Sequence, residues 1–350
     1  MELLEKLVNT PGVPGRESMI RSVIEDHVTA SGIFDDIQTD VLGSLICVRY
    51  ARPQAIVQPD RTPKKVLVAA HMDQIGFLVS SIAEGGYLYL HPVGAFDTRT
   101  LFSRRVIVCT EDGHRLPGVL NPEGRPIHTA PPEELKKVPE IDNFFVDLAL
   151  PEPVVREQVR QGDMVVFCNP LEEIGDSVIG PGLDNRVGCW ALIRAMESLQ
   201  HHQCDIYAVW TAQEEVGSRG AQPVSFGITA DIGISCDTTV SCELPGISNK
   251  HHITHAGEGV SIQIADSSTL ADMSLVHDIE DVARQHRIKC QRSLMLGGGQ
   301  DGARIQLSRT GVRTIVLSCP IKYIHTATEM AHRNDLSSYK NLLVRYLESL

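Results

Sequence analysis

Polar clusters fall at five points of this 350-residue chain where an apolar run closes or a helix begins. Val66–Ala70 leads into His71-Met-Asp73, and Ile206–Trp210 into Thr211-Ala-Gln-Glu-Glu-Val-Gly217. Ile232–Cys236 leads into Asp237, and Thr314–Cys319 is followed shortly by His325. Asp184 lies in Gly180-Pro-Gly-Leu-Asp-Asn-Arg-Val-Gly188, at the start of an apolar helical pattern. Runs of this length, alternating with helical stretches at Val187–Leu199, Leu270–His286 and Leu336–Leu350, predict an α/β fold. Its sheet is expected to be mostly parallel and covered by helices on both faces. Strand ends on one edge of such a sheet converge in space, and ligands collect there.

The stretch from Gly76 to about Cys168 has a different texture. Short β-type runs such as Tyr87–His91, Arg105–Cys109 and Met164–Cys168 are punctuated by Gly and Pro, with short helices only around Pro132–Lys137 and Glu152–Gln161. This spacing predicts a small barrel or sandwich. The expected organisation is therefore an α/β domain from 1–73 and 169–350, with a β-rich unit inserted at 74–168. Helices are expected at 2–8 and 17–31, a strand at Leu42–Val48, a loop over Pro53–Lys65, and the start of a helix at Arg304–Arg309.

Composition narrows the function. The 32 basic residues against 44 acidic ones give a net charge of −12, which disfavours a nucleic-acid surface. No run approaches a membrane span of roughly 18 apolar residues, and the N-terminus lacks an apolar signal core. Nine scattered cysteines without CxxC spacing read as reduced thiols of a cytoplasmic protein.

Each polar residue has an ordinary reading by itself. A lone His71 or His325 is commonly a hydrogen-bonded core or loop histidine, Asp184 a helix cap, and Asp237 a turn residue. Taken together at one sheet edge, the His/Asp/Glu set suits zinc, cobalt or manganese. Glu214 and Glu215 point in different directions at a strand end, so one can bind metal while the other moves a proton. Other features read as bland: His251, His252 and His255 as a surface loop, His201-His202 as an exposed helix end, and Gly297–Gly299 as a turn without a Walker lysine.

The series AHMDQIGF, GPGLDNRVGCW, TAQEEVGSRGA, GGGQDGA and YIHT, with the strand ending in Asp237, resembles the tetrahedral-aminopeptidase family. NTPGVPGRE resembles the family's opening loop, so the likeness spans nearly the whole chain. The resemblance implies two co-catalytic metal ions with His71 and His325 as terminal ligands and Asp184 as the bridge. Glu215 would join one site and Asp237 the other, Glu214 would be the general base, and Asp73 would orient the His71 ring. Implied partners are peptide substrates and further copies of the chain, the β-rich insert serving as a dimerisation domain and the dimers building a tetrahedral dodecamer. Gln74, Asn185 and Gln300 depart from residues common in the family, the first two from acidic ones and Gln300 from threonine. A metal-dependent aminopeptidase is the leading expectation. A dipeptidase, carboxypeptidase or deacylase would use similar ligands with a carboxylate-binding arginine such as Arg186, Arg219 or Arg304. A glycosidase reading leaves both histidines and Asp184 without a role, and a scaffold leaves the whole set without one.

Overall fold

A computed structural model describes residues 1–52 and 62–350. Of the loop expected over 53–65, residues 53–61 lie outside the described residues.

Helices α1 (Glu2–Val8) and α2 (Ser18–Ser31) come first, then strands β1 (Asp36–Thr39), β2 (Leu45–Arg49) and β3 (Lys65–His71). A second group of strands follows: β4 (Gly76–Ile82), β5 (Leu88–Val93), β6 (Arg104–Cys109) and β7 (Arg115–Pro122), helix α3 (Pro132–Leu135), β8 (Phe144–Asp147), α4 (Glu152–Gln158) and β9 (Met164–Phe167). The chain then returns through β10 (Glu172–Ile174) and β11 (Ser177–Gly180) to α5 (Leu183–Ser198) and β12 (Asp205–Thr211). Helix α6 (Ala221–Ile228), β13 (Ile232–Val240), β14 (Val260–Ala265), α7 (Met273–His286) and β15 (Cys290–Leu294) come next. Helix α8 (Asp301–Gln306), β16 (Arg313–Lys322), β17 (Glu329–His332) and α9 (Arg333–Ser349) complete the order.

Among the described residues, eleven strands form one sheet, whose main path is β1-β2-β12-β3-β13-β16-β17-β11-β10. Its centre, β12-β3-β13-β16, is parallel, and antiparallel strands flank it on both sides. Strand β3 explains the parallel core. Val66, Val68 and Ala70 bury one face in the large core, directly beneath α5, while Leu67 and Ala69 bury the other against α6 and α8. A strand covered on both sides needs an unbroken apolar run rather than alternation. The chain leaves β3 to form β12 on one side and returns to form β13 on the other, so the strand order reverses at β3. That reversal opens a crevice at the carboxyl ends of the strands.

Register brings the polar ends level. Thr211 pairs with His71, and Ser235 with Ala69, which sets Asp237 opposite His71.

Strands β4-β5-β8-β7-β6-β9 close into a barrel. Phe77, Val79, Leu88, Leu90, Val106, Val108, Leu120, Phe144, Val146 and Val165 fill its interior. Closure leaves the short strands no free edge.

Several boundaries shift from the sequence reading. Helix α5 starts at Leu183 rather than Val187, with non-helical backbone at Asp184 and Asn185 and a cis peptide between them. Helix α7 starts at Met273 because Asp272 caps it, leaving Leu270 exposed. Helix α8 lies at Asp301–Gln306, earlier than expected. His202 is buried, not an exposed helix end, its Nδ1 2.8 Å from the Cys204 carbonyl oxygen.

Candidate metal centre

His71, Asp184, Glu214, Glu215, Asp237 and His325 all line one cavity of about 690 Å³ over the crevice. His71 closes β3, and its Nε2 lies 3.3 Å from Asp184 Oδ1 and 3.6 Å from Asp237 Oδ1. On the other side, His325 Nε2 lies 3.3 Å from Asp184 Oδ2 and 3.5 Å from Glu215 Oε2. Two three-residue donor groups result, His71/Asp184/Asp237 and Asp184/Glu215/His325, sharing Asp184 through its two oxygens. Glu215 Oε1 is buried without a hydrogen-bond partner among the described residues. Imidazole nitrogens and carboxylates without thiolates suit borderline divalent cations. The donor chemistry fits two such ions.

Glu214 stands outside both groups. Its Oε1 accepts a hydrogen bond from Ser218 Oγ at 2.9 Å, and Oε2 lies 3.9 Å from His71 Nε2.

Both imidazoles are fixed from behind. His325 Nδ1 donates to the Ala95 carbonyl oxygen at 2.9 Å, from the loop after β5, which leaves Nε2 to face the cavity. His71 Nδ1 lies 3.2 Å from the Asp73 main-chain oxygen and 3.6 Å from its Oδ1. The Asp73 carboxylate, expected to steer the ring, stands beside it and also serves the neighbouring loop. Its two oxygens accept the main-chain N–H groups of Glu214 and Glu215, each at 3.0 Å.

Burial and like charge shape the electrostatics. Burial, reinforced by Asp184 and opposed by His325, pushes the Glu215 carboxyl up to about 8. Burial lifts Glu214 well above the carboxylate range, with Asp237 and Glu215 adding to it against His71. Burial also lowers the basicity of His325, but Asp184 and Glu215 overcome it and hold the ring at about 10. Asp184 runs the other way, the two imidazoles outweighing burial and pulling it down. So much buried carboxylate creates demand for cationic charge, which protons or metal ions supply.

Residues not singled out from sequence hold this set in place. Glu329, buried at the start of β17, accepts from the main-chain N–H of Asp184 at 2.9 Å and of His325 at 2.7 Å. Burial and the Asp184 charge push its carboxyl up to about 8. Glu17 accepts from the Gly15 and Gln213 N–H groups. Asp301, in the Gly-rich motif, accepts from Thr211 Oγ1. Its signal was the motif, but Glu17 and Glu329 act on main-chain amides, which no side-chain spacing announces.

The departures are well accommodated. Asn185 donates to the Cys236 carbonyl at 2.8 Å and accepts from Gly188 N at 3.0 Å. Gln300 donates to the Thr238 carbonyl at 3.0 Å. Gln74 accepts from Arg186 Nη2 at 3.2 Å. Arg186 is wholly buried, while Arg219 and Arg304 are exposed, Arg304 lining a smaller hollow beside the main cavity. The histidine segment read as a surface loop also contributes, since His251 and His252 line the cavity and a one-turn helix covers Asn249–His251. Gly297–Gly299 forms another part of its wall.

A switch-point crevice in an α/β sheet, carrying two donor groups that share one aspartate, is an arrangement suited to a two-metal hydrolase. The sequence profile of the M42 glutamyl aminopeptidase family matches residues 55–342, and the chain belongs to that family. It is 31% identical to the lysyl aminopeptidase of Pyrococcus furiosus over 357 residues, covering 100% of this chain and 97% of that one. An aminopeptidase from the archaeon Desulfurococcus kamchatkensis superposes with a TM-score of 0.92 at 30% identity, covering 100% of this chain and 94% of that one. The TET1 peptidase of Pyrococcus horikoshii, which can assemble into a tetrahedron or a large octahedral shell, superposes with a TM-score of 0.85. It shares 29% identity, over 100% of this chain and 99% of that one. The protein is a metal-dependent aminopeptidase, a hydrolase of peptide bonds. No helix among the described residues is long and apolar enough to cross a membrane.

Proposed function

We propose that this chain removes N-terminal residues from peptides in the cytoplasm, with Glu214 as general base beside two divalent cations. His71, Asp184 and Asp237 would hold one ion, and Asp184, Glu215 and His325 the other. Such ions, zinc or cobalt by the donor chemistry and manganese as a third choice, lower the pKa of a water and polarise a carbonyl.

The observation that carries the reading is the division of labour between adjacent glutamates. Glu215 belongs to a donor group, whereas Glu214 lines the same cavity outside both groups. With cations bound beside it, which favour the ionised form, its carboxylate would take a proton from the attacking water and pass it to the leaving amine. Replacing Glu214 with Gln should keep about two ions per chain while turnover of aminoacyl p-nitroanilides falls by about 10²–10⁴-fold. Near-normal turnover in that variant would exclude the role. Dialysis against a chelator should abolish activity, and restoring the cation should return it. N-blocked substrates should resist cleavage; if they are cut as readily as free amines, a deacylase or carboxypeptidase reading takes over.

The chain division proposed with this function assigns 1–73 and 169–350 to catalysis and 74–168 to dimerisation. Dimers would assemble into a tetrahedral dodecamer, an assembly supported by the dodecameric PhTET1 relative. Nine unpaired cysteines suit the reducing cytoplasm.

A further inference from the structure

The loop carrying the base has no helix or strand of its own between Thr211 and Ala221, and Gln213 sits at φ +58°, in the left-handed region. Three consecutive amides of this loop nevertheless end on carboxylate oxygens at the same distance. Gln213 N–H donates to Glu17 Oε1 at 3.0 Å, Glu214 N–H to Asp73 Oδ1 at 3.0 Å, and Glu215 N–H to Asp73 Oδ2 at 3.0 Å. Asp73 reaches the loop from the adjacent strand end. Glu17 reaches it from the far end of the sequence, at the start of α2, and is only 4% exposed.

We propose that Glu17 is a positioning residue for the reaction, fixing the loop so that Glu214 faces the cavity. This rests on Glu214 being the base.

Two features show that Glu17 is itself held. Its Oε1 also accepts from Gly15 N–H at 2.8 Å, which ties the carboxylate to its own turn. The opening segment is packed without slack: a Cβ on Gly12 would come within 2.6 Å of Ile20 Cγ2 and 3.3 Å of Arg186 Nη2. Arg186 is fully buried, and its Nε and Nη1 have no hydrogen-bond partner among the described residues. Burial lowers its basicity to about 10, with Asp73 and Glu17 among the groups that oppose that fall. Without Glu17, the Gln213 amide loses its acceptor inside the protein. Of the three amides, only those of Glu214 and Glu215 then keep a carboxylate acceptor, both on Asp73.

The effect should fall on kcat, because a displacement of about 1 Å in a reacting group costs on the order of 10²-fold. Glu17→Ala, assayed as holoenzyme, should lose about 10–100-fold in kcat with KM within about twofold and bound metal unchanged. Glu17→Gln keeps the Oε1 acceptor and should recover most of that loss. Unchanged kcat in Glu17→Ala overturns the proposal. So does a loss confined to KM, or an equal loss in Glu17→Ala and Glu17→Gln, which would point to charge rather than positioning. If Glu17→Ala does not fold, Glu17→Asp carries the same test, since it keeps the charge and shortens the reach by one methylene. Glu214→Gln, measured alongside, separates the failures: an active Glu214→Gln removes the base assignment, whereas an inactive one beside a fully active Glu17→Ala removes only the role of Glu17.

Discussion

Asn185 fills a position where the resembling family commonly has an acid, and its amide group uses both of its ends. Nδ2 donates to the carbonyl that precedes Asp237, and Oδ1 accepts from Gly188, all of it buried. A carboxylate there has no donor for the Cys236 carbonyl and adds charge beside Asp184. Asn185→Asp should therefore cost about 1–3 kcal/mol, the range for leaving a buried polar group unpaired, read as a lower urea midpoint of the holoenzyme. An unchanged midpoint would mean that the site absorbs the charge by protonation. At this scale the candidate donors were legible because metal chemistry requires particular side chains, and His71, Asp184, Glu214, Glu215, Asp237 and His325 line one cavity. Glu17 and Glu329 were not, since accepting a main-chain N–H leaves no mark on spacing or residue type. For Asp73, the contact with the loop amides was not legible. Only the fold reveals that its oxygens face the amides of Glu214 and Glu215.

Elements buried on both faces were the easiest to read, and short polar ones the hardest. Strand β3 and its parallel neighbours carry unbroken apolar runs, whereas β10, Glu172–Ile174, is exposed along its whole length. A side-chain cap decides where α7 begins. Asp272 Oδ1 accepts from Ser274 and Leu275 N–H at 2.9 and 3.1 Å, and Oδ2 pairs with Arg313 Nε at 2.9 Å. Arg313 first, then the cap hydrogen bonds, hold this carboxyl below its usual range against the effect of burial. A depressed folded-state pKa contributes stability above the unfolded value near 4 and loses it as pH falls through the folded value. Asp272→Ala should thus cost about 1 kcal/mol at neutral pH, and the gap to the parent protein should close on acidification below about pH 4. A gap that stays constant down to that acid range would show that the carboxylate's charge contributes nothing.

At the scale of the molecule, the barrel is tied to the chemistry by the hydrogen bond from His325 to Ala95, so its placement and that of a proposed ligand are coupled. The sequence carried the barrel as texture, short β runs between turns. Closure was not legible, because pairing β4 with β9 brings together segments about 90 residues apart that no local pattern connects. The barrel's outer surface bears on assembly. In the connection between β7 and β8, Ile127, Leu135 and Val138 are 71%, 52% and 57% exposed. Apolar side chains of this size in one short segment are costly to leave in water and suit burial against another copy. If the barrel is the dimerisation unit, replacing all three with Lys should lower the molar mass found by light scattering. Because the segment contributes nothing to the cavity lining, hydrolysis of small p-nitroanilides per chain should persist in the smaller species. An unchanged mass would move the contact to another face. A smaller species without activity would instead show that assembly, acting through the barrel and Ala95, is needed to hold His325 over the site.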